Sequence, residues 1–87
     1  MQQLENAITN LVNEIPRAIY FDTHHVIKLL IKRYSDVYNQ YANPTLPKHG
    51  NIGRILSSMD QFVEYKGQSY SINIHDNVSE CALWKKI

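Results

Sequence analysis

The chain has little of what marks a secreted or membrane protein. Its single cysteine, Cys81, cannot form an internal disulfide, and no apolar run approaches the roughly 18 residues that span a bilayer. The first ten residues, MQQLENAITN, have neither a basic flank nor an apolar signal-like segment. These absences predict a cytoplasmic protein from a reducing compartment, with no membrane as partner.

Motifs for catalysis and metal binding are also missing. His24 and His25 are adjacent and would diverge on a helix, and His75 and Cys81 have no second pair at zinc-ligand spacing. The carboxylates are scattered, and GNIGR lacks the spacing and the lysine of a phosphate-binding loop. The sequence therefore predicts no enzyme, no metal, no cofactor and no small-molecule substrate. Cys81 is interpreted as a small buried thiol.

The composition that is present is that of one globular domain over residues 1–87. Hydrophobic residues make up 44 % of the chain and charged residues 20 %, with a net charge of +1. Residues 15–54 hold six basic and two acidic side chains, a local balance of +4. This region could form a basic face, or it could be a solvated surface of mixed sign.

Hydrophobic periodicity predicts three helices and one short strand before residue 60. These elements are a helix at 2–14, a strand at 18–21, a helix at 23–41 and a helix at 48–59. Pro16 ends the first helix and Pro44 forbids continuation of the second. Asp22 or Thr23 is expected to cap the second helix, because either side chain can accept from its free amides.

The stretch QFVEYKGQSYSINIH alternates with period two and predicts a hairpin, a wing over residues 62–75. Its turn is expected at residues 66–68, the Lys-Gly-Gln sequence. Tyr70, Ile72 and Ile74 are expected to face the core, and the residues between them to face water.

Residues 76–87 are expected to form a tail or a short helix that Ser79 begins, with Leu83 and Trp84 packed back onto the domain. An isolated hairpin is marginal in water, so the wing must pack on the helices, with the strand at 18–21 as its third strand. The predicted fold class is α+β, with three main helices and a small two- to three-stranded antiparallel sheet.

This order of elements, with YFDTHHVIKLLIKRY before and IGRILSSMDQFVEYKGQSYSI after, resembles the winged helix-turn-helix DNA-binding domain over about residues 15–75. The resemblance implies that helix 48–59 enters the major groove of double-stranded DNA and that the wing contacts the backbone. It implies base-reading roles for Asn51, Arg54, Ser57 and Ser58, and phosphate-contacting roles for Lys48, His49, Lys66, Gln68, Lys32 and Arg33. Arg54 has the fork geometry for guanine. The implied function is that of a small transcription regulator, with a mobile element as one possible source.

A near-neutral charge and a surplus of aromatic residues leave a second hypothesis open, a protein-interaction module on the same scaffold. It would be an accessory subunit, or a small inhibitor that docks on a nucleic-acid-binding partner. A homodimer or a protein partner would use helix 2–14, the Trp84 tail, or a patch of tyrosines that includes Tyr34, Tyr38 and Tyr41. The helical spacing of these tyrosines favours the alternative that they are large core residues with hydroxyls at the rim.

Overall fold

The fold combines helices with one small antiparallel sheet. The computed structural model describes residues 2–40 and 48–87. Its elements are α1 (Gln2–Glu14), β1 (Tyr20–Asp22), α2 (Thr23–Arg33), α3 (Ser35–Gln40), α4 (Lys48–Ser57), β2 (Val63–Ile72) and β3 (Val78–Lys86). The strand order is β1-β3-β2, with both pairings antiparallel. The α+β class and the small three-stranded sheet are thus confirmed. Within the described ranges, no helix is both long and apolar enough to cross a bilayer.

The core lies where α1, α2, α4 and the sheet meet. Leu4, Ile8 and Leu11 bury the whole apolar stripe of α1, as the helical spacing at 2–14 predicts. Trp84 is also buried, with 3 % of its surface exposed. The α1 stripe and Trp84, both expected as possible contact surfaces for a partner, are therefore occupied inside the chain.

The helix predicted over residues 23–41 is wrong as a single helix. Helix α2 ends at Arg33, because Tyr34 adopts φ −133° and ψ 46°, outside the helical region. Its amide still donates to the Leu30 carbonyl at 2.8 Å, and α3 then begins at Ser35, a residue type that favours helix starts. The break brings Tyr38 into the core with the other buried apolar side chains. Residue 41 lies outside the described residues.

The strand predicted at 18–21 is found at Tyr20–Asp22, where it joins the hairpin as a third strand. Phe21 pairs with Trp84 of β3, and both rings are buried. Asp22 caps α2 as expected, since its Oδ1 accepts from the His25 amide at 2.8 Å. The end of β1 and the start of α2 are thereby fixed against the centre of the sheet.

The turn predicted at residues 66–68 is wrong. Strand β2 runs through these residues and contains a bulge between Tyr65 and Gln68. Gly67 has φ +102°, a backbone conformation that glycine adopts readily and that occurs in both tight turns and bulges. The Lys-Gly pair is therefore a sound signal of irregular backbone, but it does not distinguish a turn from a bulge.

The hairpin instead turns at residues 73–77. The Asn73 amide donates to the Asn77 carbonyl at 2.8 Å, and Asn73 Oδ1 accepts from the amides of His75 and Asn77. Asp76 takes the left-handed φ of +62° that Asp tolerates better than most residues. This side-chain-stabilised turn replaces the predicted wing boundary at residue 75.

The tail predicted at 76–87 is wrong as well, because Val78–Lys86 is the central strand β3. A helix there would leave β1 and β2 unpaired, whereas a strand pairs with both. Tyr70 and Ile72, expected to face the core, are 71 % and 51 % exposed. Ser71, between them, contacts the His24 ring of α2 instead. The face of this part of β2 that is turned toward the helices is therefore the one that carries the serine.

Candidate nucleic-acid interface

Helix α4 presents one apolar and one polar side. Ile52, Ile55 and Leu56 are buried in the core, as the predicted spacing requires, and Arg54 and Ser57 are exposed on the other side. The helix predicted over 48–59 is confirmed except for its last two residues. Residues 58–62 connect α4 to β2.

Of the four base-reading candidates, Arg54 is the best placed. Its side chain is exposed and forms no ion pair within the described part of the chain. The hydroxyls of Ser57 and Ser58 donate to the carbonyls of Arg54 and Ile55, at 2.7 Å and 2.6 Å, and so close the last turn of the helix. Asn51 is half-buried. The polar side of α4 therefore presents one guanidinium, that of Arg54, beside shorter polar side chains.

Lys66 and Gln68 lie at the bulge in the middle of β2, not at the end of the hairpin where the wing tip was expected. Lys66 forms an ion pair with Glu64. The hydrogen bond and the charge of Lys66 hold the pKa of Glu64 below its usual 4.5, and Glu64 in turn raises the pKa of Lys66 above 10.5. The ammonium group is thus already engaged by a carboxylate.

The remaining phosphate candidates are separated from Arg54 or lie beyond the described side chains. Arg33 forms an ion pair with Glu14 and lines a cavity with residues of α1 and β1. A second cavity lies beside Arg54, between α4 and the hairpin, and among the described residues the two cavities share no lining residue. Lys32 is exposed next to Arg33 on α2. The side chains of Lys48 and His49 lie outside the described residues.

A groove of about 700 Å³ separates α4 from the hairpin. Arg54 lines one side, and Tyr65 and Trp84 line the other, with their rings edge to face at a centroid distance of 5.5 Å. Two carboxylates, those of Asp60 and Glu64, also line this groove. The mixture of charges weakens the attraction of this surface for phosphate.

Two further cations have partners within the chain that the sequence does not indicate. Lys86 is buried and donates from Nζ to the Ile15 carbonyl at 3.0 Å. Lys85 lies over the Tyr20 ring, 5.8 Å from its centroid. Sequence reasoning also missed the real hairpin end, although its Asn and Asp residues at 73, 76 and 77 are a turn signal.

Comparison with known proteins adds no relative. No protein-family model matches this chain, and neither a curated protein nor a solved structure matches it. The α4 face is therefore interpreted from its geometry and its charges alone.

Proposed function

We propose that the chain is a winged helix-turn-helix protein that binds double-stranded DNA through α4 and the β2–β3 hairpin. The observation that carries the proposal is the order of elements. A short strand, a capped helix, the short helix α3, the helix α4 with one exposed side, and a hairpin follow one another, and the short strand pairs with the hairpin. This is the arrangement of the winged-helix resemblance, with the wing turn moved to residues 73–77.

In this proposal Arg54 is the principal base-reading residue. It is the exposed cation of α4 whose side chain is described, and a guanidinium can bond both acceptors of guanine in the major groove. Asn51 lies three residues earlier on the same helix and would support it toward an adjacent base. Ser57 and Ser58 would contribute only as acceptors, through the lone pairs of their hydroxyl oxygens, because their protons are donated within the helix.

The wing contributes backbone contacts of low charge. Its turn carries His75, Asp76 and Asn77, all exposed, and these residues include no lysine or arginine. The nearest basic residue along β2 is Lys66, which is paired with Glu64. Few phosphates would therefore be neutralised, and binding should weaken less steeply with salt than for a strongly basic domain.

A titration of a labelled mixed-sequence duplex at low and at moderate salt tests the proposal. Binding at low salt that weakens as salt rises is expected, since the phosphate term is strongest there. After selection of a preferred sequence, Arg54→Ala should weaken binding by about 1–3 kcal/mol, roughly 5- to 150-fold. Arg17→Ala, which removes the same charge from the exposed segment between α1 and β1, is the matched control. Absence of binding at low salt would end the proposal.

A second candidate, a protein-docking module on this scaffold, is favoured by one specific observation. Ile72 pairs with Val78, so the two share a face of the hairpin, and they are 51 % and 68 % exposed. Tyr70, also exposed, lies on the same face two residues along β2. Sedimentation over a range of protein concentrations tests one such partner, a second copy. Under this candidate, Val78→Asp abolishes a dimer, whereas under the DNA proposal the protein stays monomeric and the variant folds normally.

A further inference from the structure

Three side chains of different chemistry meet where α2 begins beside the hairpin. A carboxylate oxygen of Asp22, a ring nitrogen of His24 and Sγ of Cys81 all lie within 4.8 Å of one another. They come from the end of β1, the first turn of α2 and the middle of β3. His24 is 9 % exposed, and Asp22 and Cys81 are half-buried. We name this group the Asp22–His24–Cys81 cluster.

We propose that the Asp22–His24–Cys81 cluster binds one thiophilic divalent cation of the zinc type. A thiolate and an imidazole are ligands that zinc prefers, whereas magnesium and calcium prefer oxygen ligands alone. With Cys81 as thiolate and His24 neutral, the two anionic ligands offset the two positive charges of the ion. The cation would therefore sit near the amino end of α2 without an uncompensated charge.

The outer groups of the cluster already orient its ligands. Ser71 Oγ lies 2.6 Å from His24 Nδ1, and Ser79 Oγ lies 3.3 Å from His24 Nε2. One ring nitrogen can bind the ion while the other keeps its serine partner, which is the usual arrangement around a metal-bound histidine. Ser79 is held in turn by Asn73 Nδ2, which donates to its hydroxyl at 3.1 Å.

The ligands need only small movements to close on an ion. Zinc bond lengths of about 2.0–2.3 Å place tetrahedral ligands roughly 3.5 Å apart, compared with the 4.8 Å limit seen here. Asp22 uses Oδ1 to cap α2, so its second oxygen is available. A cavity of about 280 Å³ adjoins the cluster, lined in part by His24, Glu80 and Cys81, and gives room for water as a fourth ligand.

Titration of the purified chain with cobalt(II), a coloured zinc substitute, tests the site directly. We expect one equivalent to bind, with a thiolate-to-cobalt charge-transfer band and release of the Cys81 proton. Zinc alone should raise the thermal unfolding midpoint, because it binds only the folded arrangement. The charge-transfer band and the zinc-induced rise in the unfolding midpoint should both be lost in Cys81→Ser. The control His25→Gln changes an exposed neighbouring residue and should retain both.

Further variants separate ion binding from folding. Asp22→Asn keeps a good helix cap but removes the anionic ligand, so it should fold normally and bind zinc more weakly. One of the two substitutions Ser71→Ala and Ser79→Ala should weaken zinc binding about 10- to 100-fold, namely the one that removes the serine partner of the ring nitrogen not bound to the ion. The proposal is overturned if wild-type protein gives no charge-transfer band, or if the zinc effect survives in Cys81→Ser. It is also overturned if His25→Gln abolishes binding as completely as Cys81→Ser does.

Discussion

The ion pair between Glu64 and Lys66 gives a sharp test of how α4 and β2 meet DNA. Replacing Glu64 with glutamine keeps the size of the side chain and removes the carboxylate that engages the Lys66 ammonium. It also removes one of the two carboxylates from the groove beside Arg54. If DNA lies against this groove, the released ammonium becomes available for a phosphate.

The expected size of the effect follows from counterion release. One additional phosphate contact steepens the slope of log K against log salt by about 0.9. Relative to 1 M salt, where the phosphate term vanishes, this steeper slope corresponds at 0.1 M salt to roughly an eightfold gain in affinity. Glu64 and Lys66 are both exposed, with 51 % and 34 % of their side-chain surfaces accessible, so the substitution should leave the fold unchanged.

Fluorescence anisotropy of a labelled duplex over a series of salt concentrations measures both quantities. A cycle with Lys66→Gln is the control, because the gain from Glu64→Gln should vanish when the lysine is absent. An equal gain in both backgrounds would mean that only the net charge matters. No gain in either background would show that this part of β2 lies away from the DNA, and the argument for the groove would be refuted.

Three further outcomes are expected from the described contacts. Thr23→Val should lower the free energy of unfolding by about 1–3 kcal/mol in urea, because the buried Trp84 Nε1 loses the Thr23 hydroxyl that accepts from it at 3.0 Å; Thr23→Ser should lose much less. Asn73→Ala should lower the free energy of unfolding by about 1–2 kcal/mol, because it removes the side-chain acceptor of the turn. Asn73→Asp keeps Oδ1 and should retain most of that stability. By carboxyl NMR, Glu64 should titrate below 4.5 and return toward 4.5 in Lys66→Gln. The stabilisation that the pair gives through Glu64 should be full above pH 4.5 and lost as pH falls through the lowered pKa; a Glu64 pKa that is the same in both proteins would contradict the ion pair.

Local signals in the sequence predict the first half of the fold well. The apolar spacing of α1, the cap at Asp22 and the buried side of α4 depend on residues close together in sequence, and all three are found. The sequence signal for the break at Tyr34 is weaker, because the apolar stripe continues through this residue. Only the Ser35–Asp36 pair indicates a new helix start.

The second half depends on pairing between distant residues, which periodicity does not reveal. Gly67 fits a bulge as well as a turn, so the sequence predicts the hairpin turn too early and a tail in place of β3. That error also hid the Asp22–His24–Cys81 cluster, because spacing along the chain gives no metal pattern. The ion pair between Arg33 and Glu14 likewise joins residues that are distant in sequence, and the balance of +4 over residues 15–54 does not include Glu14.

The start of α2 connects the two elements that the DNA proposal requires. Thr23 accepts from Trp84 and donates to the Ala82 carbonyl at 3.4 Å, and His24 meets the hydroxyls of both hairpin strands. The cavity at this point is also lined by residues of α4, so the helix and the hairpin approach α2 at the same place. An ion held there would restrain the hairpin against α2 without touching Arg54. Zinc binding and DNA binding can therefore fail separately: loss of the cobalt band leaves the argument from α4 intact, and absence of DNA binding leaves the ligand cluster intact.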